Sequence, residues 1–374
     1  MAEQQIILIN HLLEPPGRVT GITRFLFALL SELIRRPRLR YALVTTWKAC
    51  ELPEPLQHEN LSVITLPDRR SSLLNIAAQM TQIGRLMREL GAALEFNSNP
   101  LGCFHPGWPR VITVHDLYFD VMGRYYPLRH RLWWRLFFPL ALASSDSVIC
   151  VSEATRTDLA KFHRRFAKKA VVIHEASAII AAAGPDSSAT SLVAPYAIYV
   201  GNVSPNKNPA ALVAALKILE SRGRPVKVYH VGRDDVSLLA QAQQSVGLAS
   251  PVETVNGLSD EALAAAYQGA SCMIAPSTYE GFCLPIIEAQ TLGTPVVCSD
   301  IPVFREVAGE SAMFFDPHDP ETIADSLDLT MRDTRLGERL RVAGRRNATR
   351  FSWGRAAAET EALFVRIMEK SAIA

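Results

Sequence analysis

No stretch of this sequence is both long and apolar enough to cross a bilayer. Its most hydrophobic run, Leu132 to Ala143, is interrupted by Arg135 and Pro139 and falls short of the ~20 residues that a spanning helix needs. The opening, MAEQQIILIN, is acidic at its start and has a single short apolar run, Ile6 to Ile9, before Asn10, so no secretory signal is expected. The six cysteines (Cys50, Cys103, Cys150, Cys272, Cys283 and Cys298) are scattered, with no CxxC and no Cys/His spacing. That excludes the usual zinc frameworks and points to free, mostly buried thiols in a reducing cytosol. The dinucleotide fingerprint GxGxxG is absent, and so are aromatic–basic RNA motifs and DNA-reading helices. Nucleic acid is therefore not an expected partner. No Asp-x-Asp pair stands at a strand end. Asp234 and Asp235 are adjacent, a poor arrangement for clamping a metal-bound diphosphate, so no metal is expected.

What is present is a globular composition, with 48% hydrophobic and 20% charged residues in a chain of 374, enough for two ordinary domains. The net charge of +2 hides an asymmetry: residues 1–180 carry 22 Lys and Arg against 15 Asp and Glu, and the remainder 17 against 22. A basic half suggests something anionic on that side, such as lipid headgroups or a phosphate-bearing acceptor.

Short apolar runs alternate with helical periodicity along the chain. Strands are expected at Gln5–Asn10, Tyr41–Thr46, Leu61–Leu66, Ala92–Phe96, Val111–Val114, Ser147–Val151 and Ala170–His174, with helices near Ile22–Ile34, Leu73–Leu90, Leu128–Ala143 and Glu153–Phe166. The alternation predicts a parallel sheet covered on both faces. A linker rich in Ala, Ser, Gly and Pro follows, and a second alternating unit begins at Ala197. The expected division is 1–177, a linker over 178–194, a second domain over 195–353 and a last helix over 354–374. Ser259 is a good N-cap, and Arg305 with Glu306 reads as an ion pair. The segment Tyr126 to Leu142 interleaves basic and aromatic residues. It reads either as an interfacial helix, with Trp133, Trp134, Phe137 and Phe138 near Arg129, Arg131 and Arg135, or as a core helix with a basic outer edge.

The stretch around which the chain is organised is Ser277 to Gly293, STYEGFCLPIIEAQTLG. A helix is expected from Pro285, since proline suits a first helical position. The N–H groups of Phe282, Cys283 and Leu284 would then converge at its N-terminus, a seat for phosphate. Glu280 precedes that seat and Glu288 follows it. Two carboxylates flanking a phosphate seat match the layout of a nucleotide-sugar, with sugar, diphosphate and ribose in a row. The alternative is a pair of solvated charges on a strand–loop–helix corner.

This stretch resembles the signature of retaining glycosyltransferases of the glycogen-synthase and mannosyltransferase-like group (glycosyltransferase family 4 type, group 1). The resemblance implies an α/β GT-B fold, two doubly wound Rossmann-like domains facing a cleft, with a last helix that crosses back to the first. It implies that Glu280 meets donor-sugar hydroxyls, that Glu288 binds ribose, and that the backbone of Gly281, Phe282, Cys283 and Leu284 holds sugar and phosphate. In the loop NVSPNKNP, Lys207 matches the lysine that grips the diphosphate, whereas the usual arginine position falls at Asn202. Arg18, Arg24 and Arg233 are the other cations that could serve there. By the same resemblance Gly21, with Arg24, belongs to a loop approaching donor or acceptor, although a plain turn glycine fits equally. His115, in VITVHD, would reach the donor sugar while Asp116 orients its loop, and Gly257–Leu258 would border the base. The implied activity is metal-independent transfer with retention, and no cofactor beyond the donor. GDP-mannose is the first expectation and UDP-glucose or another hexose donor the second. An epimerase or a non-catalytic sugar-nucleotide binder on the same fold would be different classes. The expected acceptor is a saccharide, lipid-linked, in surface polysaccharide synthesis. The expected location is the cytoplasm, with peripheral docking on the inner membrane face.

Overall fold

Runs such as IILINH and SVIC, nearly all Ile, Leu, Val and small residues, are buried on both faces, which only a sheet covered by helices on each side permits. The computed structural model describes residues 4–373 apart from 15, 18–19, 69–71, 102–106 and 180–191, and leaves out the side chains of 72–78 and 373. Two units result: Met1–Glu175 with Ser352–Ala374, and Ala176–Phe351. The expected linker falls largely on 180–191, outside the described residues, as do Arg18 and Cys103.

The first unit runs β1 (Ile6–His11), α1 (Gly21–Leu33), β2 (Arg40–Thr45), β3 (Leu61–Thr65), α2 (Ser72–Glu89), β4 (Ala92–Asn97), β5 (Arg110–Val114), α3 (Tyr118–Val121), α4 (Leu128–Ser144), β6 (Ser147–Cys150), α5 (Glu153–Phe162) and β7 (Ala170–Val172). Its seven strands are parallel, in the order β3-β2-β1-β4-β5-β6-β7. The second unit runs β8 (Ala197–Val200), α6 (Pro209–Ser221), β9 (Val228–Val231), α7 (Leu238–Val246), β10 (Glu253–Val255), α8 (Asp260–Gly269), β11 (Cys272–Ala275), α9 (Leu284–Leu292), β12 (Val296–Ser299), α10 (Pro302–Ala308), β13 (Ala312–Phe315), α11 (Pro320–Arg332) and α12 (Thr334–Ala348). Its six parallel strands are ordered β10-β9-β8-β11-β12-β13. The last helix, α13 (Trp353–Ile373), packs Ala357, Leu363, Phe364 and Ile367 into the core that α1 forms with β1, β2 and β4 in the first unit.

Helix starts follow local chemistry. Thr20, Ser152 and Ser259 cap α1, α5 and α8 by accepting N–H bonds from Thr23, Thr155 and Ala262. Several expectations need correction. Helix α5 stops at Phe162, and Arg164–Lys169 continues as a 3₁₀ segment. Thr322 to Glu369, expected to be helical apart from an interruption at Phe351, Ser352 and Trp353, is broken once more, because Asp333 accepts the N–H groups of Arg335 and Leu336 and so starts α12 afresh. Arg305 does not pair with Glu306; its guanidinium donates two 2.7 Å bonds to Asp300, since fork and carboxylate match in a bidentate pair. In α4, Trp134 and Phe138 are core residues stacked 4.2 Å apart, so these two aromatic rings do not face outward. Four cysteines (Cys150, Cys272, Cys283 and Cys298) are buried free thiols, and Cys50 is exposed.

Candidate active site

In the second unit the strand order departs in opposite directions from β8 and β11. Loops leaving the carboxyl ends of such a pair diverge and leave a crevice between them, the usual ligand position in an open α/β sheet. The loop after β8 carries Lys207, and the loop after β11 carries Glu280.

The sequence builds this junction with glycine and small polar residues. Gly232, at φ +146°, abuts the β8 loop so closely that a Cβ there would stand 2.3 Å from the Gly201 carbonyl oxygen. A Cβ on Gly201, at φ +123°, would stand 3.4 Å from Lys207 Nζ. Pro205–Lys207 makes one 3₁₀ turn, and the Tyr199 hydroxyl donates to the Lys207 carbonyl at 3.3 Å. Asn206 stitches the two loops together: its Nδ2 donates to the Tyr279 carbonyl at 2.9 Å, and its own carbonyl accepts the Thr278 N–H at 2.8 Å.

Lys207 Nζ therefore lies 2.7 Å from Glu280 Oε1, with both side chains mostly buried. Ser277 Oγ donates to the same oxygen at 2.8 Å. Burial alone would lower the Lys207 pKa, but the Glu280 carboxylate reverses that and holds it above the usual lysine value. Lys207 is thus a fixed cation at neutral pH. Cys283, at φ 78° and ψ 71°, is the N-cap of α9 in a left-handed conformation, a strained state for a residue other than glycine. Burial, then the Glu280 charge, pushes its thiol pKa up to about 12, so it is no nucleophile near neutrality. The helix begins at Leu284, with Pro285 second. It starts one residue earlier than expected, because the left-handed turn at Cys283 completes the reversal. Phe282 is buried and meets Phe351 edge-on at 5.6 Å. Gly281 precedes it in the same loop.

Glu288, buried in the second turn of α9, accepts a 2.9 Å bond from the Tyr267 hydroxyl of α8. Asn202 is exposed, and its Oδ1 accepts the Arg233 N–H at 3.2 Å. The Arg233 guanidinium lies 3.8 Å from Asp235. Asp234 caps α7, accepting N–H bonds from Leu238, Leu239 and Ala240. Gly257, at φ +72°, and Leu258 follow the edge strand β10 on the same carboxyl edge of the sheet. The structure thus joins Lys207, Glu280 and Cys283 in one cluster, while Gly257 and Leu258 stand farther along that edge.

The remaining predicted residues lie in the first unit. His115 follows β5, with Nδ1 3.0 Å from Glu175 Oε1 and Nε2 2.9 Å from the Ser98 carbonyl. Acceptors at both nitrogens require a proton on each. Burial would lower the His115 pKa, yet Glu175 and the Ser98 carbonyl raise it overall. Phe25 closes on the ring at 4.8 Å. The ring expected to reach a sugar is therefore engaged inside its own unit, and one of these bonds must open to free it. Asp116 Oδ1 accepts the Tyr118 N–H at 3.0 Å and so orients the loop. Gly21 is the first residue of α1, one position before Ile22 and three before Arg24, with open space where a Cβ would lie.

Sequence reasoning missed Ser277, Asn206, Tyr199, Tyr267 and Glu175. Ser277 alone left a local signal, a hydroxyl three residues ahead of Glu280. The others arrive from distant elements.

Two family models match the chain: "Glycosyltransferase Family 4" over residues 19–176 and "Glycosyl transferases group 1" over 186–347. O-antigen chain mannosyltransferase B of Escherichia coli is 28% identical over 264 residues, covering 67% of this chain and 68% of that protein. Serotype-specific mannosyltransferase WbdA of Escherichia coli is 30% identical over 355 residues, covering 83% of this chain but only 40% of the relative's length. Sucrose-phosphate synthase of Thermosynechococcus elongatus superposes with a TM-score of 0.79 at 19% identity, covering 98% of this chain and 100% of the other, a likeness of fold. With two parallel doubly wound domains of the GT-B class and both halves matched, the chain belongs to the group 1, family 4 type of glycosyltransferases.

Proposed function

We propose that the protein transfers a hexose, mannose from GDP-mannose, with retention and without a metal, to a lipid-linked saccharide acceptor during synthesis of a bacterial surface polysaccharide. The observation that carries this reading is the Lys207–Glu280 pair, 2.7 Å apart on the loops of the switch-point strands and ahead of the α9 N-terminus. As the glycosidic bond breaks, charge develops on the diphosphate. A fixed ammonium and a helix N-terminus stabilise it without reorganising. With Glu280 Oε1 held by Lys207 and Ser277, Oε2 is left to accept a sugar hydroxyl, so Glu280 positions the sugar rather than attacks it. Glu288, oriented by Tyr267, takes the ribose. The relatives named as mannosyltransferases favour mannose. The site of action is the cytoplasm at the inner face of the membrane, where a lipid-linked acceptor is presented.

The test is transfer from GDP-mannose to a polyprenyl-diphosphate sugar in excess EDTA, with the product's anomeric configuration read by NMR. Undiminished turnover and an α-linked product are expected. Loss of turnover that magnesium or manganese restores, or a β-linked product, overturns the mechanism; use of UDP-glucose instead overturns the donor.

A further inference from the structure

The outward face of α4 is not what a water-facing helix ordinarily carries. Leu128, Leu132, Leu136 and Leu140 recur every fourth residue and are 65%, 58%, 60% and 48% exposed, so they form one ridge. It lies opposite the buried Trp134, Phe138 and Ala141. Val121, Tyr125 and Phe162 are also exposed, so seven of the twelve exposed large hydrophobic side chains among the described residues fall within 121–162. That concentration exceeds the scattered apolar residues normal on a soluble surface.

Arginines flank the ridge. A cavity of about 550 Å³ between α4 and the 119–124 segment is lined by Arg124, Arg131 and Arg135 together with Val121 and Phe162. Its one carboxylate, Asp120, is occupied by Trp134 Nε1 at 3.0 Å and His163 Nε2 at 3.2 Å. Among the described residues, neither Arg131 nor Arg135 has an acidic partner. Exposed Arg129 lies beside the ridge, and exposed Lys161, Arg164, Arg165 and Lys168 stand within six residues of Phe162.

We propose that this face of α4 is a docking surface for an anionic phospholipid bilayer, with the leucine ridge entering the acyl boundary and Arg124, Arg131 and Arg135 receiving headgroup phosphates. Apolar ridge and cationic flank together are what an in-plane interfacial helix requires. Guanidinium forks suit phosphate oxygens. A second copy of the chain fits poorly: pairing ridge to ridge about a two-fold axis would gather Arg129, Arg131 and Arg135 of both copies along one interface, where like charges repel. No helix among the described residues is long and apolar enough to span a membrane, so attachment here is to one leaflet. The proposal deepens the lipid-linked acceptor reading above by naming the surface that meets the lipid.

Co-sedimentation of the full chain with phosphatidylcholine vesicles, with and without phosphatidylglycerol, tests it. Binding is expected only when phosphatidylglycerol is present. Leu132→Ser/Leu136→Ser should weaken it at least tenfold at every salt concentration, and Arg131→Gln/Arg135→Gln should flatten its salt dependence. Both variants should keep the thermal stability of the parent and its GDP-mannose-induced shift, which separates failure of docking from failure of the donor reading. Equal binding to neutral vesicles overturns the proposal. So does undiminished binding by the leucine variant, or self-association of the parent that this variant abolishes.

Discussion

Lys207→Ala is expected to lower kcat by about 10²–10³ or more, the usual effect of removing one preorganised stabiliser of developing charge. The loss should appear in both kcat and KM, because the diphosphate is already anionic in the bound donor and gains further negative charge as the glycosidic bond breaks. At the position where the resemblance expects an arginine, this chain has Asn202, whose Oδ1 accepts the Arg233 N–H. On the proposed reading, Lys207 is the principal cation at the departing diphosphate. Its truncation also strips Glu280 Oε1 of a 2.7 Å partner, leaving Ser277, so Glu280→Ala should be comparably damaging through a misplaced sugar. Asn202→Arg, beside Gly201 where the Lys207 ammonium rests, should return part of the activity lost in Lys207→Ala. Steady-state kinetics on variants with unchanged circular dichroism decide the matter. A mild Lys207→Ala together with a severe Arg233→Ala would transfer the role to Arg233.

The largest effect on stability is expected at Arg110. Its Nε donates to Glu95 Oε2 at 2.8 Å with both side chains almost wholly buried, and its Nη1 donates to the Ser144 carbonyl at 3.1 Å. Asn97 and Asn10 supply further bonds to Glu95 Oε1, at 3.0 and 3.4 Å. Arg110→Met leaves a buried carboxylate without its cation and should cost about 3–5 kcal/mol. Adding Glu95→Met should recover much of that loss, because an apolar pair removes the unpaired charge instead of stranding it. Urea denaturation of the first unit's transition measures both. A cost below about 1 kcal/mol for the single variant would mean that water reaches Glu95.

Much of the scaffold was legible because parallel strands buried on both faces leave continuous apolar runs, such as Ser147–Cys150 and Val296–Ser299. The Glu280–Glu288 stretch was legible for a related reason, since strand, turn residues and helix start are local events. What escaped is set by contacts between distant residues. The resemblance named Lys207, but nothing near Glu280 announces their 2.7 Å contact across 73 positions, and His115 does not announce Glu175, 60 positions later. The left-handed conformation at Cys283 left no glycine to mark it, which moved the helix start by one residue. In α4, composition revealed arginines and aromatics but not which of them the sheet would claim. The buried arc took Trp134 and Phe138, and the leucines were left outside.

The central claim is that the second unit seats a nucleotide-sugar against Lys207 and Glu280. It is met most directly by thermal denaturation of the parent and of Lys207→Ala against a panel of GDP-, UDP- and ADP-sugars. A ligand that binds only the folded state adds about 2.7 kcal/mol at a hundredfold excess over Kd. GDP-mannose should raise the Tm of the parent above every other member of the panel, and the shift should shrink sharply in Lys207→Ala. A panel that leaves the parent unmoved, or an equal shift in the variant, would contradict that claim.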